Sequence, residues 1–354
     1  MNVTVIIPIY NMELYLTKCL KSIFSQTLDE LEILCIDDGS TDNSLEVLTK
    51  LKKKHPQLRI LSQKNLGVGN TRNRGIQEAR GKYLAFMDPD DYYPDNNVLK
   101  DLFNAAEKNN ALICGGSFCK ILNGKIQQRF EGEEKKYTFL QEGWLTYKDY
   151  QFDYGFHRFL YKKSFIIKNK LLFPTYIRFQ DPPFFVKAML SAEKFYALPR
   201  ITYCYREKPN SINWNYERAV NLLKGLIDNL EFSKINNLNI LHALTAKRLI
   251  IEFRDIWVIN LSSQSSELLQ LLLDAECLFD RDILRENNLE TGIAPIIQSV
   301  LLVSGADENA KIFDIYQHKL DQVYSSWNYR IGAKILYLPK KIYSFLKTPQ
   351  RFED

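Results

Sequence analysis

The sequence predicts an α/β protein: a doubly wound sheet that starts at the N-terminus, followed by a mainly α-helical C-terminal domain. Three observations predict it. Short continuous apolar runs alternate with segments of helical period through the first 115 residues. Polar and acidic clusters directly follow those apolar runs. From about Tyr216 onward, the apolar period is helical. The length of 354 residues leaves room for two compact domains, with the boundary expected near residue 215.

Residues 3–8 form the first apolar run, as a strand buried on both faces requires. Asn11 is placed to cap a helix that turns Leu16, Cys19, Leu20, Ile23 and Phe24 inward. Residues 32–36 form the second strand. Ser40 or Asp42 then caps a helix with Leu45, Leu48 and Leu51 on its inner face. Residues 59–62 form a third strand, followed by a helix carrying Arg72, Arg74 and Ile76. A strand over 82–87, a helix around 99–107 and a strand over 111–115 complete the βαβα order, read as mainly parallel. Beyond Gly116, residues 117–122 and 125–130 flank Asn123-Gly124, a hairpin signal because both turn positions need positive φ. Residues 131–136 are charged and read as an exposed loop. Residues 116–215 are assigned to the same domain as 1–115. In 216–354, Leu222, Leu223, Leu226, Leu230 and Phe232 recur at helical spacing, as do Leu244, Leu249, Ile250 and Phe253, and 268–273 is a further apolar helical stretch. No internal repeat or low-complexity segment interrupts the chain.

Composition narrows the function. Hydrophobic residues at 45% and charged residues at 25% indicate a folded globular chain rather than a disordered one. A net charge of +5 is too mild for a dedicated nucleic-acid binder. Cys19, Cys35, Cys114, Cys119, Cys204 and Cys277 include no CxxC pair, and His55, His157, His242 and His318 are scattered, which argues against structural zinc. The cysteines read as small hydrophobes of a reducing compartment. Met1-Asn2 leads straight into a strand rather than a signal peptide, and no apolar run reaches transmembrane length. A cytoplasmic protein is expected, with peripheral contact at the inner face of the membrane left open.

Four clusters follow predicted strands, at the sheet edge where open α/β folds bind ligands. Pro8-Ile9-Tyr10-Asn11 suits a base and its carbonyls, and equally a turn with a helix cap. Asp37-Asp38-Gly39-Ser40-Thr41-Asp42 sets two carboxylates side by side, where they need partners such as a base N–H or ribose hydroxyls; Ser, Thr and Asp also make a good helix start. Asn65-Leu66-Gly67-Val68-Gly69-Asn70-Thr71-Arg72-Asn73-Arg74-Gly75 combines close backbone approach with positive charge, as the phosphate side of a nucleotide needs. It has neither Walker lysine spacing nor GxGxxG, so neither an ATPase nor a dinucleotide fold is favoured. Asp88-Pro89-Asp90-Asp91 crowds three carboxylates at a strand end, which a divalent cation with diphosphate oxygens would relieve; a solvated acidic turn is the plainer alternative.

In this order, Val5-Ile-Ile-Pro-Ile-Tyr-Asn11, Ile36-Asp-Asp-Gly-Ser-Thr-Asp42, Asn65-Leu-Gly67 with Arg72-Asn-Arg-Gly75, and Phe86-Met-Asp-Pro-Asp-Asp91 closely resemble the family-2 inverting glycosyltransferases of GT-A fold, over about the first 95 residues. The resemblance implies a GT-A type doubly wound mixed sheet. It also implies a nucleotide-sugar donor, a UDP-sugar foremost, and an acceptor hydroxyl on a glycan or lipid. Mn²⁺ or Mg²⁺ is the implied cofactor, and cell-surface polysaccharide such as capsule or lipopolysaccharide the implied product. Pro8, Tyr10 and Asn11 would line the nucleotide pocket, and Asp38 would contact the base. Asn65 and Arg72 would lie along the donor, Asp88 would face the ribose or diphosphate, and Asp90 would hold the metal. The family's catalytic base matches Asp181, in Phe179-Gln180-Asp181-Pro182-Pro183-Phe184-Phe185, with Gln180 replacing the usual Glu. Locally, Asp181 also reads as an N-cap before proline. Tyr203-Cys-Tyr-Arg206 with Ser211-Ile212 resembles the family's mobile loop near the diphosphate, which puts Arg206 at the leaving group; a surface Arg on a strand is the other reading. His157-Arg158 is read towards the acceptor.

Two rival functions are weighed. A non-catalytic sugar-nucleotide scaffold would keep these clusters without a working base. A nucleotidylyltransferase would need a glycine-rich basic loop where Ile9-Tyr10-Asn11 stands. The basic amphipathic stretch 339–347 suits either an anionic membrane surface or a docked terminal helix.

Overall fold

A strand covered on both faces must be apolar along its whole length, and β1 (Val3–Ile9) is buried at every position. It lies between β2 (Leu31–Asp37) and β4 (Tyr83–Phe86), parallel to both, and β3 (Leu58–Ser62) continues the parallel run beyond β2. The computed structural model describes residues 1–122, 125–207, 213–261 and 266–303. The chain divides into two units, residues 1–212 and 213–354.

The first unit carries a mixed sheet of GT-A type in the order β3-β2-β1-β4-β8-β5-β9-β7, with β6 (Lys125–Gln127) paired to β5 (Ile113–Leu122). The strands of the first 115 residues run in one direction, as read, and the antiparallel strands that make the sheet mixed come from beyond Gly116. β8 (Phe159–Lys162) inserts between β4 and β5 and is antiparallel to both. β9 (Lys194–Glu207) then runs parallel to β5, and β7 (Gly143–Thr146) closes the edge antiparallel to β9. An apolar run such as 111–115 looks the same beside a parallel or an antiparallel neighbour, so the sequence pattern does not reveal the insertion. The β5–β6 pairing agrees with the hairpin reading; its turn, Asn123-Gly124, lies outside the described residues.

Helices cover both faces. α1 (Glu13–Phe24) buries Leu16, Cys19, Leu20 and Ile23. α2 (Ser44–Lys52) buries Leu48, whereas Leu45, expected inward, is exposed. Neither Asn11 nor Ser40 caps a helix, whereas the Asp42 carboxylate accepts the N–H of Ser44 at 2.9 Å and of Glu13 at 3.1 Å, the first residues of α2 and α1. Met12 and Asn43 occupy the N-cap positions, because Asn11 and Ser40 are drawn into contacts with each other's loops. α3 (Val68–Glu78) packs so closely on β1 that a Cβ at Gly75 would lie 2.3 Å from Cγ2 of Ile6. α4 (Val98–Lys108) follows β4, and α5 (Tyr147–Tyr150) and α6 (Lys163–Lys168) are short turns of helix. α7 (Asp181–Ala192) carries the aromatic run Phe184-Phe185 into the core. The charged stretch read as a loop forms a 3₁₀ turn, Gly132–Tyr137, anchored by buried Tyr137.

The second unit is helical as read: α8 (Tyr216–Ile235), α9 (Asn239–Lys247), a π turn at Arg248–Glu252, α10 (Arg254–Leu261), α11 (Ser266–Leu278), α12 (Arg281–Glu286) and α13 (Ala294–Val303). Leu222, Leu223, Leu226, Leu230, Leu244, Leu268 and Leu272 are among its core residues. His242 is structural, with Nδ1 2.9 Å from the Ser233 hydroxyl and Nε2 accepting the Asp280 N–H at 3.0 Å. Among the described residues no helix is long and apolar enough to cross a membrane. The basic stretch 339–347 lies outside them.

The α3–β1 contact sets a first test. Gly75→Ala is expected to cost about 1–3 kcal/mol, the usual penalty for overpacking. Chemical denaturation measures it, and unchanged stability would show that α3 does not sit this close to β1.

Candidate functional site

The order β3-β2-β1-β4 reverses direction between β1 and β4, and a cleft of about 810 Å³ opens beyond the strand ends there. Pro8, Tyr10, Asp38, Arg72, Asp88, Asp90 and Arg206 line it, so it gathers most of the residues singled out in the sequence. Asn11, Asn65 and Asp181 are not on its wall.

Asn11 has a different task. It holds φ of +54°, which asparagine tolerates, and its Oδ1 accepts the Thr41 N–H at 2.8 Å while its own N–H donates to Ser40 Oγ. It clasps the β1 and β2 loops together. Asp38 is buried and already accepts three N–H groups: Gln63 Nε2 and Leu66 N on Oδ1, and Gly67 N on Oδ2. One carboxylate therefore shapes the glycine loop and still faces the cleft. Gln63 relays this charge by accepting from Arg74 Nη1 at 3.0 Å, which assigns Arg74 to the scaffold. Asn65 is exposed at the rim.

Arg72 is the cation of the site. Its side chain is 4% exposed, and Nη2 meets Asp88 Oδ1 at 2.7 Å. Its Nε and Nη1 have no hydrogen-bond partner. The guanidinium rests over Phe156 at 4.9 Å and Phe173 at 5.3 Å, and Phe173 stacks on Phe184 of α7 at 3.9 Å. On its other side, Asp88 Oδ2 lies 3.0 Å from His157 Nε2. Burial by itself would raise the Asp88 carboxyl, but the charges of His157 and Arg72 outweigh it and hold Asp88 well below the usual carboxylate range.

Asp181 is the first residue of α7, one position past the N-cap, where Gln180 stands without a side-chain cap hydrogen bond. The preceding Phe179 holds φ of +61°, a strained conformation for a bulky residue, at the turn that presents Gln180 and Asp181. Burial raises the Asp181 carboxyl above its ordinary value, opposed by the nearby charges of Arg72 and His157. Gln180 lines the cleft directly.

Arg206 lies on β9, in keeping with the strand alternative, and lines the cleft, while Ser211-Ile212 are outside the described residues. Two features differ from the sequence reading. Arg158 faces no acceptor. Its guanidinium is fully buried and donates to the carbonyls of Gly116, Tyr137 and Lys136 and to the Tyr150 hydroxyl. Lastly, a brace of Asp91 and Tyr203 joins the acidic loop to β9. The Tyr203 hydroxyl accepts the Asp88 N–H at 3.2 Å and donates to Asp91 Oδ2 at 2.7 Å, while the Arg206 N–H donates to Asp91 Oδ1 at 2.7 Å. Burial, then Asp90 and Asp88, push the Asp91 carboxyl well up. A Tyr four residues past an uncharged run gives no sequence signal for such a role; only its proximity to Arg206 hinted at it.

The three carboxylates of the acidic loop are disposed differently. Asp90 lines the cleft, Asp91 is turned inward, and Asp88 is committed to Arg72 and His157. No group of three His, Cys, Asp or Glu residues converges among the described residues. A cation there needs donor phosphate oxygens and water to complete its shell, as Mg²⁺ sites commonly do.

A cleft with a buried arginine and acidic strand ends opens at the switch point of a mixed α/β sheet. The description "Glycosyl transferase family 2" matches residues 4–168. The chain is 33% identical over 215 residues to the uncharacterized glycosyltransferase EpsJ of Bacillus subtilis, 59% of this chain and 62% of that protein. It is 32% identical to the poly(ribitol-phosphate) beta-glucosyltransferase of Bacillus spizizenii over 59% of this chain and 32% of that one. It thus spans less than two thirds of either protein. It is 30% identical to the uncharacterized glycosyltransferase YibD of Escherichia coli, covering 65% of this chain and 71% of YibD. The chain belongs to glycosyl transferase family 2. Two solved structures share the fold: S. aureus TarS residues 1–349 with UDP-GlcNAc, at TM-score 0.66 and 18% identity over 90% of this chain and 92% of that one, and the Pyrobaculum calidifontis mannosyltransferase PcManGT with GDP-Man and Mn²⁺, at 0.53 and 15% over 85% and 87%.

The brace yields a second test. Tyr203→Phe removes one donor and one acceptor from buried partners, an expected loss of about 1–3 kcal/mol. A thermal melt reads it; a variant as stable as the parent would mean that the phenol does not hold the acidic loop.

Proposed function

We propose that this chain transfers a sugar from a nucleotide-sugar donor to a hydroxyl of a glycan or lipid-linked acceptor, with inversion, in the synthesis of a bacterial cell-surface polysaccharide. The observation that carries the proposal is the buried Arg72 with unmet N–H groups at a cleft walled by Asp38, Asp88 and Asp90. The family and its polysaccharide-linked relatives support the reaction class. The UDP-GlcNAc and GDP-Man bound to the structural neighbours support a nucleotide-sugar donor, a UDP-sugar foremost.

In this reading Pro8 and Tyr10 face the nucleotide, and Tyr10, 45% exposed, offers a ring for stacking. Asp38 keeps lone pairs for the base. Asn11 acts on the donor side through the loops it holds together, and exposed Asn65 lies along the donor. Arg72 and Arg206 supply positive charge to the diphosphate and hold it as the sugar departs. Asp90 would hold Mn²⁺ or Mg²⁺ together with donor phosphate oxygens, adding charge that stabilises the leaving diphosphate. Asp181 accepts the proton from the acceptor hydroxyl as its oxygen attacks the anomeric carbon and the bond to the diphosphate breaks on the opposite side. A single displacement inverts the centre, by the geometry that separates the two classes of glycoside hydrolase.

The direct experiment is a titration of the protein with UDP-, GDP-, CDP- and dTDP-sugars, with and without Mn²⁺, read by thermal stability and slow donor hydrolysis. One nucleotide class is expected to stabilise the protein in a metal-dependent way, and Asp90→Ala to abolish the metal dependence. No response to any donor would sink the assignment and favour the scaffold reading.

Asp181→Asn is expected to abolish transfer while donor binding persists; equal loss of both would remove Asp181 as the base. Because burial raises its carboxyl, activity should fall as pH drops through a value above the ordinary aspartate figure of about 3.9. An acid limb at or below that figure would contradict the role.

A further inference from the structure

Cys119 and Cys204 stand opposite each other in the parallel β5–β9 ladder, with their sulfurs 2.8 Å apart and side chains buried at 1% and 3% exposure. Neighbouring strands run about 4.8 Å apart. That lies inside the roughly 4.4–6.8 Å of Cα separation that a disulfide spans, so the backbone already permits a bond. The two thiols form a small cluster with Ile121, packed by Tyr92 and Ile201. Burial pushes the Cys19, Cys35 and Cys114 thiols up, whereas the hydrogen bond with Cys204 holds the Cys119 thiol below its ordinary value.

The position matters as much as the pairing. Cys204 exchanges both backbone hydrogen bonds with Tyr92, at 3.1 and 3.3 Å. It lies next to Tyr203, which braces Asp91, and two residues before Arg206, whose N–H completes that brace. Chemistry at this sulfur acts on the strand that presents Arg206 to the cleft.

We propose that Cys119 and Cys204 are a peroxide-sensitive dithiol whose oxidation to a disulfide alters the Arg206 side of the cleft. The Cys119 thiolate attacks the terminal oxygen of a hydroperoxide and an S–O bond forms as the O–O bond breaks; the other oxygen takes a proton and leaves as alcohol or water, and Cys119 becomes a sulfenic acid. The Cys204 sulfur then attacks the Cys119 sulfur. The sulfenic hydroxyl takes the Cys204 proton and departs as water, and the S–S bond forms. Two thiols are oxidised and one hydroperoxide is reduced. A small thiol reverses the bond by exchange. The effect on the cleft rests on the glycosyltransferase reading; the thiol chemistry does not.

The test uses the full chain with hydrogen peroxide, quenched by catalase, then unfolded, alkylated and digested for mass spectrometry. The expected product is a peptide pair joined through Cys119 and Cys204, lighter by two hydrogens and separated by dithiothreitol. Binding of the nucleotide found in the donor titration should weaken in step and recover on reduction. Full alkylation of both cysteines under conditions that oxidise exposed Cys277 would overturn the proposal. A disulfide that leaves nucleotide binding unchanged would overturn the coupling to the cleft. Cys119→Ala should keep its nucleotide binding through the same treatment; if it weakens like the parent, oxidation elsewhere is responsible. If no nucleotide binds even the reduced protein, the glycosyltransferase reading fails, while the thiol result stands on its own.

Discussion

Asp88 is the residue on which the site depends. It lies 2.7 Å from Arg72 of α3 and 3.0 Å from His157, just ahead of β8, and so joins the two halves of the sheet across the switch point. A buried charge survives only when paired, and breaking such a pair by removing one partner typically costs about 3–5 kcal/mol. The aromatic layer of Phe86, Phe156, Phe173 and Phe184 beneath Arg72 excludes water and strengthens the pairing. The same layer seats α7, whose first residue is Asp181. Fixing one ion pair therefore also fixes the direction of the nearby carboxylate.

The acidic loop shows how one short segment divides its labour. Asp88 is paired with Arg72 and His157, Asp91 is turned inward to Tyr203 and the Arg206 N–H, and Asp90 faces the cleft. Three neighbouring carboxylates repel one another. The fold relieves this by turning Asp91 inward and pairing Asp88, while Asp90 lines the cleft. The Asp37-Asp38 pair follows the same rule. Asp37 accepts the Ser40 N–H, and Asp38 accepts three N–H groups that hold the glycine loop.

Much of this was legible along the chain. Buried parallel strands are apolar throughout, so β1, β2 and β4 were read to within a residue or two. The clusters that follow them converge on one cleft because every parallel strand delivers its C-terminal end to the same edge. The helical period of the second unit was equally plain. Leu45 and the helix caps expected of Asn11 and Ser40 were not read correctly, and the insertion of β8 between β4 and β5 was not read at all. Each of these depends on which neighbour an element meets, and local spacing does not encode that.

The sequence by itself determined the local alternation, the acidic strand ends and the family, because these are matters of residue type at short spacing. Tertiary structure alone decided that β8 separates β4 from β5 and that Arg158 is a buried tie between carbonyls. It alone decided that His157 belongs to Asp88, and that Asp91, Tyr203 and Arg206 form one brace. Those partners stand from 21 to 115 positions apart, and the energy of bringing them together comes from burial and charge pairing in three dimensions, to which sequence periodicity is blind.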